Sequence, residues 1–193
     1  MSQLRSAVIE AVREDRNHQR VMSLKGMKML FRITNYFNPP CIFQLGSSYG
    51  LTAASILSVS ASSRLWLYDP QLSGSAVTAS VLMPYLDRVE CYNQFDVAAR
   101  DYCNALAAGA MPFVLINSIP SDLDVERLKS MLITMLDHNC VIVMRNLHRS
   151  KHMEQLWRFL KAEIKHGPTF TNEKTAVMVS NHKLNLEHFF LWF

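Results

Sequence analysis

A parallel α/β sheet with helices on both faces is the architecture this chain predicts, on three observations. Five short apolar runs at 41–45, 64–68, 88–92, 112–117 and 140–144 are rich in β-branched or aromatic residues. Helix-length segments at 50–60, 74–86, 95–108, 121–137 and 151–165 separate them, the crossover length that parallel strands need. The first run also breaks at a glycine-framed turn, Gly46 to Gly50, and restarts as a small-residue helix, as open α/β sheets do where they make a binding crevice.

Two helices precede the alternation. Residues 2–15 place Leu4, Val8, Ile9 and Val12 at helical spacing, and Lys25 to Phe37 places Met29, Leu30, Ile33 and Phe37 on one stripe. Asn38-Pro39-Pro40 stops the second, because the residue before a proline disfavours the α region and proline cannot continue the hydrogen-bond ladder. Beyond the fifth helix, Thr169 to Thr171, Thr175 to Val179 and His188 to Phe193 read as strands with short links, which suits antiparallel pairing at one edge. Residual aromatic surface on Phe189-Phe190-Leu191-Trp192-Phe193 would support a homodimer.

With 193 residues, 49% of them hydrophobic, and no break in composition, the chain reads as one domain: helices over 1–38, then an α/β core over 41–193. A net charge of +4 falls short of a dedicated nucleic-acid binder. The basic cluster Arg145, His148, Arg149, Lys151 and His152 leaves RNA a minor option. Cys41, Cys91, Cys103 and Cys140 have neither C-x-x-C nor zinc spacing and suit reduced thiols in the cytoplasm. Residues 1–20 lack the pattern of a signal peptide, and no apolar stretch approaches a membrane span, so a soluble cytoplasmic protein is expected.

Three stretches carry a resemblance: Leu30-Phe31-Arg32-Ile33-Thr34-Asn35-Tyr36-Phe37, Leu45-Gly46-Ser47-Ser48-Tyr49-Gly50, and His148-Arg149-Ser150-Lys151-His152-Met153-Glu154, with Glu187-His188-Phe189-Phe190-Leu191 closing it. Over roughly 20–193 the chain resembles the class I S-adenosylmethionine-dependent methyltransferases, specifically a bacterial O-methyltransferase-like group. The family's longer N-terminal extension is expected to be missing. The resemblance implies a Rossmann-like, open, mostly parallel seven-stranded sheet with antiparallel C-terminal strands, and S-adenosylmethionine as cofactor.

It also implies site residues. The glycine turn, with Gly46, Ser47, Ser48 and Gly50, would approach the cofactor's methionine part, and Gln44 stands where the family has an acid. Glutamine cannot pair with the ammonium charge, so affinity should fall. Asp69 matches the acid that binds the ribose hydroxyls, or is simply a turn residue before Pro70. Gln94 would face the adenine edge with Asp96 behind it as a helix N-cap, and Asn117 completes the implied cofactor contacts. Asn117-Ser118 and Arg145-Asn146 replace the acids that hold a metal in metal-dependent relatives, so no catalytic metal is expected. Arg145 is either a contact for an anionic acceptor or a solvated strand-end charge. His148 is the candidate base for an unidentified small-molecule acceptor, or a structural histidine at the helix start. Three functions remain open: a metal-independent methyltransferase, a degenerate member serving as a binding or assembly subunit, and a domain for another adenosyl ligand.

Overall fold

The computed structural model describes residues 1–13, 21–70, 75–107 and 109–191. The expected helix residues 14, 15, 74 and 108 and the expected strand residues Trp192 and Phe193 lie outside them. Ahead of the sheet run α1 (Ser2–Ala11) and α2 (Leu24–Phe37). Ser23 caps α2 by accepting from the Gly26 N–H, and Asn38, in the left-handed region at φ 43°, ends it before the two prolines.

Then strand and helix alternate: β1 (Cys41–Leu45), α3 (Leu51–Leu57), β2 (Arg64–Tyr68), α4 (Ala76–Leu82), β3 (Val89–Tyr92), α5 (Phe95–Ala105), β4 (Phe113–Ile116), α6 (Val125–Leu136), β5 (Cys140–Arg145) and α7 (Lys151–Glu163). The tail gives β6 (Pro168–Thr171), β7 (Thr175–Ser180) and β8 (Glu187–Phe190). Every helix is shorter than its apolar pattern suggested or shifted by a residue or two at its ends, where capping rather than periodicity decides.

The strands form one sheet in the order β3-β2-β1-β4-β5-β7-β6-β8. β1 to β5 are parallel, and β7 is antiparallel to both neighbours. Two details correct the expectation: the sheet has eight strands rather than seven, and β8 pairs with β6 in parallel. The reason is the route taken after β7, which passes the start of β6, with Asn181 N–H bonded to His166 O and Gly167 N–H to Leu184 O, before entering β8.

Strand alternation divides the core. Ile42, Leu65, Phe113, Val141 and Val143 face α1 to α4, while Phe43, Trp66, Val114, Ile142 and Met144 face α5 to α7. On the second face Tyr102 ties α5 to β4: its hydroxyl accepts from Phe113 N–H at 2.9 Å and donates to Phe113 O at 3.2 Å. Strand order reverses between β1 and β4, so the loops after these strands flank a topological switch point, where open sheets place their ligands.

Candidate functional site

At the carboxyl end of β1 the chain turns through Gly46 (φ 78°), Ser48 (φ 50°), Tyr49 (φ 55°) and Gly50 (φ 77°). A Cβ on Gly46 would collide with Ser118 Oγ, so the β4 loop lies directly on the turn. At Gly50 a Cβ would stand 2.9 Å from Val81 Cγ1, so its bareness lets α4 pack on α3.

The turn is held by side chains. Gly46 O accepts from Gln44 Nε2 and from Asn117 Nδ2, both at 2.7 Å, which occupies both carbonyl lone pairs. Asn117 gives its other amide hydrogen to Thr52 Oγ1 at 3.2 Å. Across the same peptide, Ser47 N–H donates to Asp69 Oδ2 at 2.6 Å. Gln44 therefore turns its amide onto the backbone, and its own Oε1, like Ser47 Oγ, is buried without a hydrogen-bond partner.

Next to Asp69 opens a crevice of about 270 Å³, slightly below the usual span for small-molecule sites of about 300–1,000 Å³. Asn117 and the β4 loop from Ser118 to Ser121 form one wall, and Arg149, Ser150 and Met153 at the start of α7 form the other. Ser150 caps α7 by accepting from the Met153 N–H. The sequence reading missed Ile119, Pro120, Ser121 and Met153 as site residues; their only signal is position, after β4 and in the first turn of α7.

Arg145 is not a solvated strand-end charge. It follows Val141 and Val143 on the face covered by α2, is 8% exposed, and donates from Nη1 to Asn117 Oδ1 at 3.0 Å. An added Cβ on Gly26 of α2 would lie 3.3 Å from its Nη2. Desolvation pushes the guanidinium down to about 10, and among the described residues no carboxylate forms an ion pair with it.

His148 sits on a short 3-10 turn and lines a separate groove of about 210 Å³ with Trp157, Arg158 and Phe190. Its Nδ1 is 2.9 Å from Glu154 Oε1, and that hydrogen bond holds the Glu154 carboxyl below its ordinary value. Gln94 is exposed at the N-cap of α5 with no side-chain cap bond. Asp96 is not the cap but lies within the first turn of α5 and pairs with Arg127 of α6. The structure thus joins Gln44, Gly46, Ser47, Asp69, Asn117 and Arg145 in one hydrogen-bonded network, of which Asp69 and Asn117 line the crevice, and leaves Gln94 and His148 outside both.

The donor set does not fit a divalent cation. The strand ends offer amides, a serine and a buried guanidinium around one carboxylate, and hard cations need several oxygen anions. An adenosyl ligand fits better, because Asp69 presents an acceptor suited to a diol beside the glycine turn.

No protein-family model matches this chain, and no curated protein does. Solved structures do. The O-methyltransferase from Bacillus cereus in complex with SAH superposes with a TM-score of 0.67 at 14% identity, over 93% of this chain and 91% of that one. The O-methyltransferase TomG from Streptomyces achromogenes, in complex with SAM, gives 0.65 at 16% identity over 93% and 90%. A methyltransferase from Geobacter sulfurreducens gives 0.68 at 14% identity over 93% and 90%. The chain therefore has the Rossmann-like fold of the class I methyltransferases, built on an eight-stranded sheet.

Proposed function

We propose that this chain is an S-adenosylmethionine-dependent methyltransferase of the O-methyltransferase type that works without a divalent metal on a small acceptor in the cytoplasm. One observation carries the reading: Asp69, at the end of β2, opens onto the switch-point crevice with its Oδ2 fixed 2.6 Å from Ser47 N, in a fold shared with O-methyltransferases solved in complex with SAH and with SAM. Bound there, the cofactor supplies an activated methyl group on a sulfonium.

The residues around it have distinct tasks. Asp69 holds the ribose hydroxyls by charge-assisted hydrogen bonds. Ile119, Pro120 and Met153 exclude water, and alignment of the acceptor with the methyl group supplies most of the remaining catalysis. Ser118 stands against Gly46, so the β4 loop borders the turn that the methionine end would approach. The crevice wall offers Arg149 and three serines, which suits an acceptor whose nucleophilic oxygen ionises by itself. His148 serves as base for an acceptor that reaches across from the α7 groove.

The test is isothermal titration of the purified protein with S-adenosylmethionine and, separately, with S-adenosylhomocysteine in the presence of a chelator. Micromolar binding of either is expected. Absence of both heat and thermal shift overturns the reading and returns the chain to a methyltransferase-fold subunit that acts through a partner.

A further inference from the structure

We propose that Arg145 is a positioning residue for Asp69, acting through the side-chain amide of Asn117 and the Gly46–Ser47 peptide. Three hydrogen bonds run in line: Arg145 Nη1 to Asn117 Oδ1 at 3.0 Å, Asn117 Nδ2 to Gly46 O at 2.7 Å, and Ser47 N to Asp69 Oδ2 at 2.6 Å. In each link the group nearer Arg145 donates, so a cation stands at one end, a carboxylate at the other, and two amide dipoles between them point the same way. Such a chain polarises its own members, and low solvent access strengthens every bond in it. Arg145, Asn117, Ser47 and Asp69 are all buried, at 8%, 4%, 0% and 4% exposure.

The arrangement explains two features that single contacts leave unexplained. A buried cation with no carboxylate beside it is costly, and no described carboxylate pairs directly with Arg145. Its neighbour on α2, Gly26, belongs to the first turn of that helix, whose end carries partial positive charge and gives the guanidinium no compensation. The relay supplies that compensation from Asp69. The amide of Asn117 also has one workable orientation: its oxygen must face the guanidinium, so its hydrogens must face Gly46 O and Thr52 Oγ1. That fixes the 46–47 peptide plane, and the plane aims the Ser47 N–H that sets the Asp69 carboxylate at the crevice.

The effect on ligand affinity rests on the adenosyl-cofactor reading, whereas the effect on the turn does not, so two readouts separate them. Arg145→Met and Asn117→Asp are made in the full chain. Amide hydrogen exchange is measured by NMR without ligand, alongside the melting temperature and the Kd for S-adenosylhomocysteine. In Arg145→Met the Ser47 amide is expected to exchange about tenfold faster while β1 and β4 amides keep their rates, and Kd to rise about tenfold. The melting temperature is expected to hold or rise, because an unpaired buried charge has gone. Asn117→Asp keeps a partner for Arg145 but loses the donor to Gly46 O. It should reproduce the Ser47 and Kd effects, and it decides the matter if Arg145→Met fails to fold. An unchanged Ser47 amide, or faster exchange across the whole sheet with a fall in melting temperature, overturns the proposal. If the unsubstituted protein binds no S-adenosylhomocysteine, the functional reading fails and the exchange data alone decide the relay.

Discussion

Gly46 and Ser118 approach so closely that only a hydrogen fits on the Gly46 Cα: a Cβ there would collide with Ser118 Oγ and stand 3.3 Å from the Ser118 backbone nitrogen. Two loops from adjacent parallel strands therefore close on each other at the switch point. Gly46→Val should abolish binding of S-adenosylhomocysteine in calorimetry and also cost about 1–3 kcal/mol of stability, since Gly46 holds a φ of 78° that valine tolerates poorly. Unchanged binding would remove the crevice from contention.

Asp69→Ala is expected to weaken the adenosyl ligand by roughly 1.5–3 kcal/mol and to leave the Ser47 N–H without its acceptor. Asp69→Asn separates the two effects, because the amide oxygen still accepts from Ser47 while the charge is lost. Titration calorimetry and thermal melts of both variants check this. Equal affinity in all three proteins would mark Asp69 as a turn residue only.

Tyr102→Phe should lower stability by about 1–3 kcal/mol, because the N–H and C=O of Phe113 both lose the hydroxyl that satisfies them in a dry environment. For a domain of this size that is a fall of about 2–4 °C in Tm per kcal/mol. Ligand affinity should hold, since Tyr102 lies on the α5 face of the sheet, away from the crevice walls.

The His148–Glu154 pair predicts a pH effect of known sign. Glu154 is held below its ordinary value of 4.5, first by the hydrogen bond from His148, so what the pair lends to folding is present above 4.5 and is lost as pH falls through the lowered value. In His148→Ala the Glu154 carboxyl should titrate at a higher pH, as followed by carbon NMR. As the base proposed above, His148 should also make the same variant lose turnover, and unchanged turnover would leave it a structural role only.

Phe189 and Phe190 are 40% and 43% exposed on β8, the outermost strand of the sheet. An apolar edge strand is a template for another strand. Sedimentation should show a homodimer that Phe189→Lys reduces to monomer; a monomer at every concentration would count against the edge as an interface.

Much of the sheet was legible because β-branched runs, the Asn38-Pro39-Pro40 stop and helix-length gaps each constrain the backbone independently, and β1 and β2 fall where composition placed them. The burial of Arg145 was not legible. Cys140 to Met144 are apolar throughout, so the run does not reveal which face an odd-numbered residue joins, and strand ends are where charges ordinarily meet water. The same limit hid the roles of Gln44 and Asn117: an amide can contact ligand or backbone equally well, and only register places both beside Gly46 O. The neighbourhood of His148 was equally hidden, because it is set by a local feature, the 3-10 turn that carries it toward Glu154.

Because β7 lies between β5 and β6, the fold cannot be completed in the order in which the ribosome delivers it. When β6 has emerged, the place beside β5 is reserved for residues still unmade, and the free backbone edge of β5, flanked by buried Val141 and Val143, begins to close only with Thr175 and is covered only once Ser180 has been synthesised. For that interval a nascent chain carries, at the heart of its future sheet, a strand paired with β4 on one side only, the stage at which a chaperone would matter most to its yield.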